Sequence, residues 1–186
     1  LEKKFENSSE IKILYVSSLH LYKNHKKLFH AIKILLNEYP NVKLILIGEK
    51  INFLFNEIFD DIYSEIKQNI VYLENISNYH ITNYHFETDL FIFPSSCETF
   101  PLSLLESMKA SVPVAVSNYI KEINVVNKEV ISFDPEDSND ISEKIKYLIE
   151  NPNLRKDLVV KSYKFVNNFN WTKTNKDIFK LLSNLK

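Results

Sequence analysis

An alternation constrains this chain more than any other feature of its 186 residues. Short β-branched apolar runs recur at residues 11–16, 42–47, 70–73, 90–93, 112–116 and 130–133. Between them lie stretches whose apolar residues return every three to four positions. Near-continuous apolar runs fit strands covered on both faces, and strands alternating with amphipathic helices fit a parallel sheet. The pattern predicts an α/β fold: one doubly wound, Rossmann-like domain over residues 1–186 with about six parallel strands.

The helical stretches are read from the same periodicity. In 24–39, Leu28, Ile32, Leu35 and Tyr39 share one stripe while Lys26, Lys27, Lys33 and Asn37 fall off it, with Asn24 as N-cap. Further helices are expected at 52–68, 77–86, 101–109, 138–150, 153–168 and 171–185. Pro101 would sit at the first helical position, where its missing N–H is harmless. Pro113 would open an edge-compatible strand. Ligands of doubly wound sheets bind beyond the carboxyl ends of the strands, near the reversal in strand order. Any site should therefore draw on residues 17–23, 48–50, 74–77, 94–100 and 117–122.

Composition removes several alternatives. Gly48 is the only glycine, so neither a G-x-G-x-x-G fingerprint nor a G-x-x-x-x-G-K-[ST] phosphate loop can exist. One cysteine excludes a disulfide framework and a cysteine-rich zinc site. With 23 basic against 24 acidic residues there is no electrostatic footprint for nucleic acid. No apolar run approaches the ~20 residues of a membrane span. Residues 1–10 are polar and without an apolar signal segment, so a cytoplasmic location is expected.

Two segments at strand ends could carry chemistry. Lys23, His25, Lys26 and Lys27 gather at a helix start, where the macrodipole disfavours cations unless an anion neutralises them. With 22 lysines in the chain, a solvated basic face is the alternative. The second segment runs from Pro94 to Glu106: strand, polar loop, then a helix whose Leu102 and Ser103 N–H groups would point back at the cleft. Glu98 and Glu106 lie in it, eight residues apart. The 16 glutamates form four such pairs (2/10, 49/57, 57/65 and 98/106), and only the last spans a strand–loop–helix junction. A carboxylate pair so placed could hold the hydroxyls of a sugar and a ribose on either side of a diphosphate. The alternative is a surface Glu106 pairing with Lys109 one turn on. His20, His25, His30, His80 and His85 have spacings that suit neither a helical metal pair nor a nucleophilic dyad, and read as surface or core residues.

The segment Pro94-Ser95 … Glu98-Thr99-Phe100 … Leu104-Leu105-Glu106-Ser107-Met108 … Pro113-Val114 resembles the E-x7-E signature of retaining GT-B glycosyltransferases, the group 1 or GT4-like family. Ordered similarities extend from residue 11 to 171. They include Ile13 to Ser18 followed by Tyr22-Lys23-Asn24-His25, Leu44 to Gly48, Asp89 to Ser95, Phe133 to Asp137, and Phe169-Asn170-Trp171. The resemblance implies the C-terminal, donor-binding half of a GT-B fold, with the N-terminal acceptor domain absent from this chain. It implies a nucleotide-diphosphate sugar as donor and partner, no cofactor and no metal.

Residue by residue, the resemblance gives Glu98 the catalytic position at the transferred sugar, Lys23 the diphosphate and Glu106 the ribose. Backbone at Leu102 and Ser103 would bind phosphate. Ser18, Thr99 and Phe100 would border the donor, and Glu74 and Asn75 the base. The implied product is a bacterial polysaccharide or glycolipid, with any contact to the inner membrane face made through the absent domain. The fragment alone is expected to be inactive. Three positions depart from the family pattern: Ser18 where arginine is frequent, and Pro101 and Ser111 where glycine is frequent. They motivate an alternative, a degenerate donor-like module acting as scaffold or partner. A flavodoxin-like or receiver domain would need acidic residues where Ser17-Ser18 stand.

Overall fold

A computed structural model of the chain describes residues 10–51, 54, 57–59, 61–120, 130–169, 175, 176, 179, 180 and 183. Six strands form one sheet: β1 (Ile11–Val16), β2 (Val42–Ile47), β3 (Ile70–Leu73), β4 (Leu90–Phe93), β5 (Val114–Ser117) and β6 (Ile131–Phe133). Their order is β3-β2-β1-β4-β5-β6, and every neighbouring pair is parallel. The order reverses between β1 and β4, so the cleft opens where their following loops part. The expected doubly wound α/β fold is therefore present.

Helices α1 (His25–Leu36), α2 (Asp61–Ile66), α3 (Asn78–Glu87), α4 (Leu102–Lys109), α5 (Ser138–Glu150) and α6 (Pro152–Val166) flank the sheet. α1 packs against α2 and α5, while α4 packs against α3 and α6. Two helical layers therefore enclose the sheet, as right-handed crossovers from a central β1 require. All four residues of β4 and of β5 are buried. Tyr15, Phe29, Phe91 and Phe133 are the bulkiest fully enclosed side chains.

The strand ends are tied by specific bonds. At the start of β4, Asp89 Oδ2 accepts from Lys12 N at 2.8 Å, Asp89 N donates to Lys12 O, and Thr88 Oγ1 donates to the same carbonyl. Gly48 follows β2 where the backbone of Ser17 passes so close that a Cβ would lie 1.8 Å from Ser17 O. No other residue fits there without moving main chain. The turn 134–137 is built from its own side chains. Asp134 Oδ1 accepts from Glu136 N, Asp140 Oδ2 accepts from Asp134 N, and Asp137 caps α5 through Asn139 N and Asp140 N.

Several expected boundaries shift. α1 ends at Leu36 rather than residue 39, and Tyr39 N turns back to Leu35 O. In 52–68 the described residues hold α2 and a 3-10 turn, Lys67–Asn69, besides helical residues 54, 57 and 58. β5 starts two residues late and is interior, flanked by β4 and β6. Pro113 precedes it, so no ladder N–H is lost, and its carbonyl accepts from Phe91 N. Pro101 precedes α4 rather than opening it, at φ −83° and ψ 74°. The helix expected at 171–185, together with Asn170 and Trp171, lies outside the described residues apart from a few positions, and so does 121–129.

Candidate functional site

A cavity of about 460 Å³ opens at the reversal point between β1 and β4. Ser18, Lys23, Glu98, Phe100, Leu102, Ser103 and Glu106 line it, so seven of the ten sequence-predicted residues converge. Thr99, Glu74 and Asn75 are not on its wall. Glu74 and Asn75 follow β3, two strands from the reversal, with Asn75 in a left-handed turn at φ 55°. Val16 and Phe93 form the floor. Asn78 and Ile81 of α3 close one side, and no motif in the sequence had marked them.

The two loops that carry the charges are stitched together. Asn24 stands at the N-cap of α1 at φ 55°, but its side chain does not cap the helix. It donates instead to Pro94 O at 2.8 Å and to Ser96 Oγ, while Ser96 N donates to Tyr22 O. The expected capping role is thus replaced by a bridge between the β1 and β4 loops. Beneath it, the Tyr15 hydroxyl donates to Lys23 O at 2.9 Å, and burial raises its pKa far above the usual phenol range. These bonds fix the main chain on which Lys23 and Glu98 stand.

Lys23 Nζ and Glu98 Oε1 form an ion pair, both side chains mostly covered. The basic cluster read at the start of α1 does not converge on one spot. Lys23 faces Glu98, Lys27 reaches the carbonyl and carboxylate of Glu136, Lys26 is exposed and His25 is buried. His25 rests against Tyr15 with ring centroids 5.0 Å apart, and its Nδ1 lacks a hydrogen-bond partner among the described residues. Burial, aided by the positive charge of Lys23, pushes its pKa down to about 3.

The start of α4 differs from expectation. Leu102 N donates to Phe100 O across Pro101, an inverse γ-turn, so this N–H is not free for a ligand. Ser103 Oγ donates to Val16 O at 3.3 Å, anchoring the helix start to the end of β1. Ser103 itself lines the cavity at that helix end. Glu106 does not pair with Lys109. The Lys109 ammonium contacts Asn167 Oδ1 and lies 4.9 Å from the Tyr163 ring centroid. Glu106 instead has Oε2 3.6 Å from Nε2 of the buried His85, whose Nδ1 lies 2.7 Å from Ser107 Oγ. The spacing of the histidines gave no sign of this, because α3 and α4 meet only in the fold.

The fold is that of the C-terminal domain of a GT-B glycosyltransferase. The C-terminal domain of a glycosyl transferase group 1 family protein (LpcC) from Francisella tularensis superposes with a TM-score of 0.75 at 21% identity, covering 86% of each chain. HepE (Alr3699) from Anabaena, solved in complex with UDP and glucose, gives 0.83 at 18% identity over 96% of this chain and 49% of that one. The chain belongs to the family described as glycosyl transferases group 1, whose sequence profile matches residues 1–165. The capsular polysaccharide biosynthesis glycosyltransferase CapM of Staphylococcus aureus is 27% identical over 159 residues, 83% of this chain and 41% of its own length. Protein CapJ of the same organism is 26% identical over 170 residues, and the chain spans 43% of it. The chain thus covers less than half the length of these relatives. Among the described residues no helix is long and apolar enough to cross a membrane.

Proposed function

We propose that this chain is the donor-binding domain of a glycosyltransferase that takes a sugar from a nucleotide diphosphate and transfers it, with retention, to a surface polysaccharide or glycolipid. One observation carries the reading. Lys23, Glu98, Glu106 and the start of α4 face a single cavity at the strand-order reversal. In this reading Lys23 leaves Glu98 to meet the diphosphate, and Glu98 accepts from hydroxyls of the transferred sugar. Glu106 accepts from the ribose, and Ser103 N donates to phosphate at the helix end. Ser18, Phe100 and Leu102 border the donor, Thr99 supports Glu98 from the loop, and Glu74 and Asn75 lie towards the base.

Cleavage of the sugar–phosphate bond leaves negative charge on the departing diphosphate. Lys23 and the helix dipole stabilise that charge where it develops, with no metal required. The acceptor would be held by an N-terminal domain outside this chain, working in the cytoplasm and making any contact with the inner membrane face. The scaffold alternative draws on Ser18, Pro101 and Ser111. One of these loses its force: Ser111 adopts the left-handed conformation a glycine would, at φ 61°.

Thermal scanning and calorimetry with UDP, GDP and ADP and their sugars test the reading. One nucleotide family is expected to stabilise the chain and to bind more weakly, by about tenfold, to Glu106→Ala and to Lys23→Ala, while Lys109→Ala binds as wild type. Absence of any stabilisation at millimolar nucleotide would overturn the proposal.

A further inference from the structure

We propose that His85 is a positioning residue that holds Glu106 for a ribose diol, an inference that rests on the donor-domain reading above. His85 lies near the end of α3, 2% exposed, with its ring 5.6 Å from that of Phe91. Nδ1 is 2.7 Å from the Oγ of Ser107, itself fully buried. Nε2 is buried without a hydrogen-bond partner among the described residues and lies 3.6 Å from Glu106 Oε2. An unsatisfied buried polar atom is uncommon in native proteins and calls for a reason.

Of the two neutral tautomers, only the one protonated on Nε2 turns an N–H towards Glu106. When Ser107 Oγ–H donates to Nδ1, the ring proton sits on Nε2 and faces the carboxylate. The opposite tautomer would set a nitrogen lone pair against Glu106. A movement of about half an ångström in the Glu106 side chain then completes the Nε2–H···Oε2 bond, because heavy-atom distances near 3 Å suffice. Glu106 is 59% exposed on its side chain, and Lys109 is engaged elsewhere. A carboxylate so exposed samples several rotamers. One N–H from the protein side ties down one oxygen and leaves the remaining lone pairs turned to the cavity, where two adjacent hydroxyls can donate to them. Ser107, adjacent to Glu106 on α4, therefore sets the histidine that sets the glutamate.

The test compares UDP, GDP or ADP, whichever binds, with its 2′-deoxy counterpart by calorimetry on the whole chain. Wild type is expected to prefer the ribose form. His85→Phe keeps the ring volume and removes the donor. It should lose about fivefold in affinity for the ribose form and little for the deoxy form, approaching the weak preference of Glu106→Gln. His85→Gln, which keeps a donor near Nε2, should regain part of the preference. The double variant His85→Phe/Glu106→Gln should bind no worse than Glu106→Gln alone. A structural role only would weaken both nucleotides together. Equal weakening, an unchanged ribose preference in His85→Phe, additive losses in the double variant, or no ribose preference in wild type would each overturn the inference. Should His85→Phe fail to fold, Ser107→Ala, which removes the bond that fixes the tautomer, is read by the same ratio. Failure of ribose and deoxy forms alike to bind wild type overturns the donor-domain reading itself, whereas ribose preference insensitive to both variants overturns only the role of His85.

Discussion

His25 stands directly behind the site lysine, and its charge state follows from that position. The folded chain holds it neutral down to about pH 3, because burial and the Lys23 charge both disfavour a second proton. The unfolded chain protonates it near the ordinary value of about 6.5. Its stabilising contribution is therefore complete above the unfolded value and is lost as pH falls through the window below it. Chemical denaturation between pH 6 and 5 should show wild type losing about 1 kcal/mol more than His25→Gln, since one proton of differential uptake is worth about 1.4 kcal/mol per pH unit. Identical slopes for the two proteins would refute this. Single residues such as Lys23, Glu98 and Glu106 were legible in the sequence because they follow strand ends in a recognisable order. His25 and His85 were not, since their neighbours Tyr15, Ser107 and Glu106 come from other elements and no local spacing records those contacts.

The elements themselves carry readable punctuation, and the end of α4 shows how far it goes. Val112 N donates to Ser107 O and Ser111 N to Met108 O, the paired bonds of a Schellman motif with Ser111 in the left-handed position. Serine there carries strain of about 1 kcal/mol that glycine escapes, offset in part by the greater freedom of glycine in the unfolded chain. Ser111→Gly should therefore raise stability by about 0.5 kcal/mol, read as a shifted denaturation midpoint at constant slope. A lowered midpoint would contradict this account. The joint between α5 and α6 is sealed differently. Arg155, 8% exposed, donates through one guanidinium nitrogen to the carbonyls of Leu148 and Ile149, closing the end of α5. The start of α4 was misread by one residue because proline suits both the first helical position and an inverse γ-turn. Sequence alone does not choose between them, and the choice decides whether Leu102 has a free N–H.

For the whole molecule, the alternation of runs made six parallel strands expected, and the strand order set the cavity between β1 and β4. Pairing order was not in the pattern. It emerges from which helices cross on which side of the sheet. In the proposed function this chain supplies one side of a cleft whose other side carries the acceptor. Supplied with a nucleotide sugar that it binds, the isolated chain should form no glycoside above background, while a polypeptide joining it to a preceding acceptor domain should. Turnover by the isolated chain would refute that division of labour.

Gly48 has a meaning beyond the fold. A chain with 22 lysines, a single arginine and 21 asparagines is what a genome drifting towards adenine and thymine writes, and glycine codons begin with two guanines. Residues other than glycine occupy left-handed positions in this chain at Asn24, Asn75 and Ser111. At Gly48 that replacement is closed, because a Cβ would lie 1.8 Å from the Ser17 carbonyl oxygen. A codon change at Gly48 that adds a side chain therefore carries a structural cost that the same change at an exposed turn does not.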